Sequence, residues 1–113
     1  MANFIADCGL MSIGGGVTTP VALTVATQLT LPTAAQKVKF SGGPLIAVIS
    51  LEGTGGARYT TDGVTVPTAA VGLFVTTPTI ITITGDDVLS KFSIFQAGAS
   101  SLMTYQFYMQ RMI

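Results

Sequence analysis

Histidine and tryptophan are absent from this 113-residue chain, there is one cysteine, and only ten residues carry a charge, five acidic and five basic. Without histidine, no His-based catalytic triad and no His-containing zinc site can form. Without tryptophan, the best side chain for stacking on carbohydrate is missing. The single Cys8 cannot make an intramolecular disulfide, so the fold stands without staples, as in a protein assembled in a reducing cytoplasm. With no histidine to activate its thiol, Cys8 reads as a small apolar residue rather than a nucleophile. Net charge is zero, and Lys37, Lys39, Arg58, Lys91 and Arg111 are scattered rather than striped. The electrostatic basis for binding nucleic acid or an anionic membrane is therefore lacking.

Long hydrophobic runs are missing too. The longest, near Pro44 to Leu51, spans about eight residues with Ser50 inside it, less than half of the roughly 20 that a membrane helix needs. The start, Met1 to Asp7, has no basic region of the secretory type. Neither export nor membrane insertion is expected. Acid-base devices reduce to Asp86-Asp87, which on a strand would point to opposite faces and in a loop suit turn and capping roles. With Asp62 far away in sequence, they are too few for a calcium site. Gly14-Gly15-Gly16 and Gly53 to Gly56 precede no helix and no phosphate-binding lysine. No enzyme activity, metal or cofactor is expected.

What is present is apolar residue in quantity, 49% of the chain. A folded monomer of this mass would expose roughly 5,800 Å², or about 600 Å² per charge, sparser than soluble monomers favour. Much of that surface belongs against other protein. The length suits one domain, and its apolar content excludes a disordered chain.

From Val21 onward the chain is a series of short runs rich in Val, Ile, Thr, Phe and Tyr, punctuated by Gly, Pro and Asp. Val21, Leu23 and Val25 alternate with small or polar residues, and further strands are expected over 37–40, 45–51, 57–60, 70–76, 79–84, 92–96 and 102–109. In the last, Met103, Tyr105, Phe107 and Met109 share one face while Leu102, Thr104, Gln106 and Tyr108 form a second face that is not properly polar, which points to cover on both sides. Asp62-Gly63 suits a tight hairpin and Gly53 to Gly56 a looser one, while Asp86-Asp87 can start a single helical turn through Ser90. Paired threonines at 18–19, 60–61 and 76–77 read as outward-facing β-branched residues. The fold class is all-β, a single β-sandwich or jelly roll of about eight short strands over residues 21–113.

Residues 1–20 differ. Phe4, Ile5, Leu10, Met11 and Ile13 are separated by Gly9 and three consecutive glycines, the pattern of an extended apolar arm on a flexible joint, although an edge strand of its own domain is the competing reading. As an arm it would order on a partner, and deleting residues 1–19 would leave a folded sandwich. Arg58 and Asp62 flank Tyr59-Thr60-Thr61 and can pair beside the hairpin, at an exposed site or across an interface.

The stretch Gly55-Gly56-Ala57-Arg58-Tyr59-Thr60-Thr61-Asp62-Gly63, continuing through Pro67-Thr68-Ala69-Ala70-Val71-Gly72 to Ile83-Thr84-Gly85-Asp86-Asp87, resembles small virion structural proteins of tailed bacteriophages, as does Phe92 to Ala99. The resemblance covers about half the chain and rests on turn chemistry and core pattern, not catalytic residues. It implies a capsid decoration, or cement, protein on the outer surface of the head, bridging major capsid subunits and assembled in the host bacterial cytoplasm. The implied partners are the major capsid protein and further copies of the chain, as dimer or trimer. The alternative is a low-copy part of the head-tail connector, tail or head fibre base. A lectin-like module would need exposed aromatics in a cleft, and Tyr59, Tyr105 and Tyr108 are expected in core or interface. Expected interface residues are Phe4, Ile5, Leu10, Met11, Ile13, Arg58 and Asp62.

Overall fold

Period-two alternation becomes a strand where a run finds a backbone partner, and eight runs do so among the described residues. The computed structural model describes residues 10–33, 44–98 and 100–110. In chain order the elements are β1 (Leu10–Ala22), β2 (Thr27–Gln28), β3 (Ile46–Gly53), β4 (Ala57–Thr60), β5 (Leu73–Val75), β6 (Thr79–Thr84), α1 (Asp86–Ser90), β7 (Ser93–Gln96) and β8 (Ser101–Gln110). The chain is thus all-β, with two antiparallel four-stranded sheets: sheet A in the order β1-β8-β3-β6 and sheet B in the order β2-β7-β4-β5. First pairs with last and so inward: β1 with β8, β2 with β7, β3 with β6 and β4 with β5. Among the described residues no helix is long and apolar enough to cross a membrane.

The registers of sheet A align three inward rows: Ile13–Phe107–Ala47–Ile83, Val17–Tyr105–Ile49–Ile81 and Val21–Met103–Leu51–Thr79. Across a pleated sheet, directly opposed side chains share a face, so the alternation along each strand becomes an apolar surface across four. Sheet B contributes Ala57 and Ile94, with Tyr59 and Val75 packed at the margin. Both sheets feed one hydrophobic cluster, completed by Leu23, Leu29, Leu45, Leu89 and Phe92. Polar ties cross it. Tyr105 on β8 accepts the Thr30 N–H at 3.0 Å through its hydroxyl, and the buried Ser101 hydroxyl donates to the Gly56 carbonyl at 3.1 Å.

Several local expectations are corrected by these long-range pairings. The Val21–Val25 alternation is not one strand: Leu23 donates its N–H to the Ser101 carbonyl at the sheet A end and accepts the Gln96 N–H from sheet B. The chain changes sheets there, and Val25 is 66% exposed. Gly53 to Gly56 likewise joins β3 in sheet A to β4 in sheet B and is no hairpin. Gly56 sits at φ 81°, where a Cβ would fall 2.5 Å from the Phe74 ring and 2.8 Å from the Val75 carbonyl oxygen. Gly56→Ala therefore combines a left-handed backbone penalty with a steric one, and a loss of about 1–3 kcal/mol is expected in urea unfolding. The 70–76 run shortens to β5, and the 37–40 run lies outside the described residues.

The proposed boundary at residue 20 falls inside a strand. β1 runs through it to Ala22 and forms an edge of sheet A, with Ile13 in the domain's own core. Gly16 acts by closeness rather than as a joint. Register with β8 shifts between Ile13 and Val17, and a Cβ on Gly16 would lie 2.7 Å from the Tyr105 carbonyl oxygen.

Candidate protein-interaction surface

Chemistry-bearing side chains are few among the described residues. Among the described residues no three His, Cys, Asp or Glu side chains gather as a metal site. Asp87 pairs with Lys91 at 3.3 Å, one helical turn along and exposed. Gly85 occupies the N-cap position of α1, and Asp86 instead of capping from that position accepts the Leu45 N–H at 3.1 Å, tying α1 to the start of β3.

Arg58 and Asp62 do not pair with each other; both shape the 61–72 loop. Arg58 Nε donates to the Ala69 carbonyl at 3.1 Å and Nη1 to the Gly72 carbonyl at 3.0 Å. Asp62 starts the loop: one carboxylate oxygen accepts the Val64 and Thr65 N–H groups at 2.9 and 2.8 Å, and the other accepts the Thr65 hydroxyl at 2.6 Å. Asp62-Gly63 therefore forms a side-chain-closed turn within a long connection, not a tight hairpin. Thr60 shares the outer face with Arg58 but is buried against the loop, where its hydroxyl donates to the Thr65 carbonyl at 2.7 Å.

These bonds, led by the Thr65 hydroxyl, hold the Asp62 carboxyl down at about 2, below its ordinary 3.8. A depressed carboxylate pKa stabilises the folded form above the unfolded value, and that contribution disappears as pH falls from near 4 through about 2. In an NMR titration the Val64 and Thr65 amides are expected to shift together with a midpoint near 2. A midpoint near 4 would show that the turn does not hold the carboxylate.

Held in this way, the loop leaves apolar side chains in solvent. Val64 is 84% exposed, Val66 and Val71 are exposed, and so are Leu73 and Phe74 on β5. On the outer face of sheet B the register aligns Phe95, Arg58 and Phe74 across β7, β4 and β5. The Arg58 guanidinium lies 5.1 Å from the centroid of the Phe74 ring, in cation–π contact. Arginine flanked by aromatics on a charge-poor surface is the composition enriched at binding hot spots.

The outer face of sheet A is also poor in charge. Thr18, Val48, Ser50, Thr104, Gln106 and Tyr108 line a shallow depression of about 230 Å³ there, below the roughly 300 Å³ at which ligand pockets begin. Leu102 and Tyr108 on this face are half-buried, and the mixed second face read from β8 is its central strip.

Of the interface residues expected from sequence, Arg58 lies at the centre of the sheet B surface and Asp62 braces its loop, while Ile13 is withdrawn into the core. Leu10 and Met11 belong to β1, opposite Gln110 and Met109; Phe4 and Ile5 lie outside the described residues. Val64, Val66, Leu73 and Phe74 were not foreseen. Their signal is the absence of any charge between Asp62 and Asp86. Comparison with protein-family models, curated proteins and solved structures found no match.

Proposed function

We propose that this protein is a capsid decoration protein of a tailed bacteriophage, a rigid module that binds the outer surface of the head and bridges major capsid subunits. The observation that carries the reading is the surface: the outer face of sheet B displays Phe74 against Arg58, and the 61–72 loop exposes Val64 and Val66. Apolar surface of this kind belongs against a partner. The nested pairing of first strand with last supports the finer fold reading, a jelly roll, in which a long antiparallel ribbon rolls into two facing sheets. That architecture serves viral capsids among other uses, and fold alone does not fix function. Each contact would be modest, and many symmetry-related copies would act together through multivalency.

The partners on this reading are the major capsid protein and further copies of the chain, in a virion assembled in the bacterial cytoplasm. Shells prepared without the protein test it. Adding purified chain is expected to raise the temperature at which the shells release DNA, and Arg58→Ala with Phe74→Ala is expected to weaken shell binding by about tenfold or more. Unchanged affinity in the double variant, shown folded by its melting curve, would remove this surface from the role; no binding by the wild-type chain would remove the role itself.

A further inference from the structure

Exposed sheet edges invite pairing with other chains, and proteins blunt them with short strands, bulges, prolines or charges. Three of the four edges here are blunted. β2 has two residues and β5 has three. β1 carries two register shifts and Pro20. The fourth, β6, is different: Thr79–Thr84 pairs with β3 without a break over all six residues, with no bulge, proline or charge inside it. Among the described residues no strand pairs with its outer side. Ile80 is 65% exposed, and Thr82 and Thr84 are exposed beside it.

We infer that β6 is a self-association edge, pairing antiparallel with β6 of a second copy about a two-fold axis at Thr82. A two-fold axis perpendicular to the sheet keeps inward residues on the inward face, so the axis must pass through a residue position. At Thr82 the facing pairs are Thr82 with Thr82, Ile80 with Thr84 and Ile81 with Ile83. All are β-branched pairs suited to a pleated surface. An axis at Ile81 would instead bring Pro78, which has no N–H to donate, opposite Thr84. Charge favours a second copy as the occupant: no charged residue lies between Asp62 and Asp86, so a symmetric pair brings no like charges together along the ladder. The two copies of sheet A become one continuous sheet, and the half-buried Ile81 and Ile83 at the margins of both cores close against each other.

The inference names the self-contact within the assembly reading but rests on the edge, so its test uses purified chain alone. In a Cys8→Ala background, Thr82→Cys brings two thiols to Cα separations of about 4.5–5.5 Å, within disulfide range. Under mild oxidation it is expected to form covalent dimer at least tenfold faster than Val64→Cys on the exposed loop. Ile80→Cys and Thr84→Cys should each couple slowly alone and rapidly when mixed, which fixes the register. Thr82→Lys should abolish reversible dimer in sedimentation at high protein concentration without lowering the melting temperature. Equal coupling rates at positions 82 and 64, or an unchanged dimer in Thr82→Lys, would overturn the pairing. That outcome would leave capsid binding through the Arg58 surface untouched.

Discussion

Deletion of residues 1–19 is expected to give an unfolded or aggregating chain. The deletion removes β1 through Thr19 and strips β8 of its outer partner over most of its length. Ile13 and Val17 stand opposite Phe107 and Tyr105 on the inward face, so two of the three apolar rows lose an end. Loss of one buried isoleucine side chain costs about 2–5 kcal/mol, and each forfeited ladder hydrogen bond adds about 1 kcal/mol. The total rivals the whole stability of a domain this size, about 5–15 kcal/mol. Circular dichroism and a thermal melt decide it. A cooperative, wild-type-like transition in the truncated chain would show that β1 is the dispensable arm that its glycines resemble.

Phe107→Ala is expected to have the largest effect of any single substitution. Phe107 is fully buried at the centre of sheet A, between Ile13 on β1 and Ala47 on β3, with its ring edge-on to Tyr105 at a centroid distance of 5.5 Å. Truncation leaves a cavity flanked by an alanine too small to fill it, and the loss is expected at about 3–5 kcal/mol. At about 4 °C per kcal/mol, the melting temperature falls by roughly 15 °C. Tyr105→Phe is the gentler companion: it keeps the packing but leaves the Thr30 N–H without its acceptor, for a loss of about 1 kcal/mol. A fall of only a few degrees in Phe107→Ala would place the core elsewhere.

Both cases show which part of the fold the sequence carries locally. The strands over 57–60 and 79–84 are legible as they stand, because β-branched alternation and flanking Gly, Pro and Asp mark them without reference to partners. The inward face of β8 is equally plain. Connections are not legible locally where the partner is distant. Among the described residues only β4 and β5 are consecutive strands that pair, so glycine turns that look like hairpins, such as Gly53 to Gly56, carry the chain between sheets. Leu23 interrupts an apparently regular strand because its two backbone groups bond to different sheets. The glycine run in β1 looks like a joint in one dimension and is part of a strand in three, with Gly16 in close approach to β8.

The interaction surface was legible in part for a related reason. Arg58 and Asp62 stand out as rare charges, but nearness in sequence does not make them partners. The backbone carbonyls of Ala69 and Gly72 outcompete the carboxylate for the guanidinium. The exposed valines and Phe74 look like core in composition; the long 61–72 connection carries the valines outside, and the register of β5 with β4 turns Phe74 outward.

Copy number in purified virions, measured by quantitative mass spectrometry against the major capsid protein, tests most directly whether this chain covers the head. Hundreds of copies in a simple ratio to the capsid subunit are expected. A count of one or two rings would move the protein to the connector or tail, and absence from the particle would contradict the virion role.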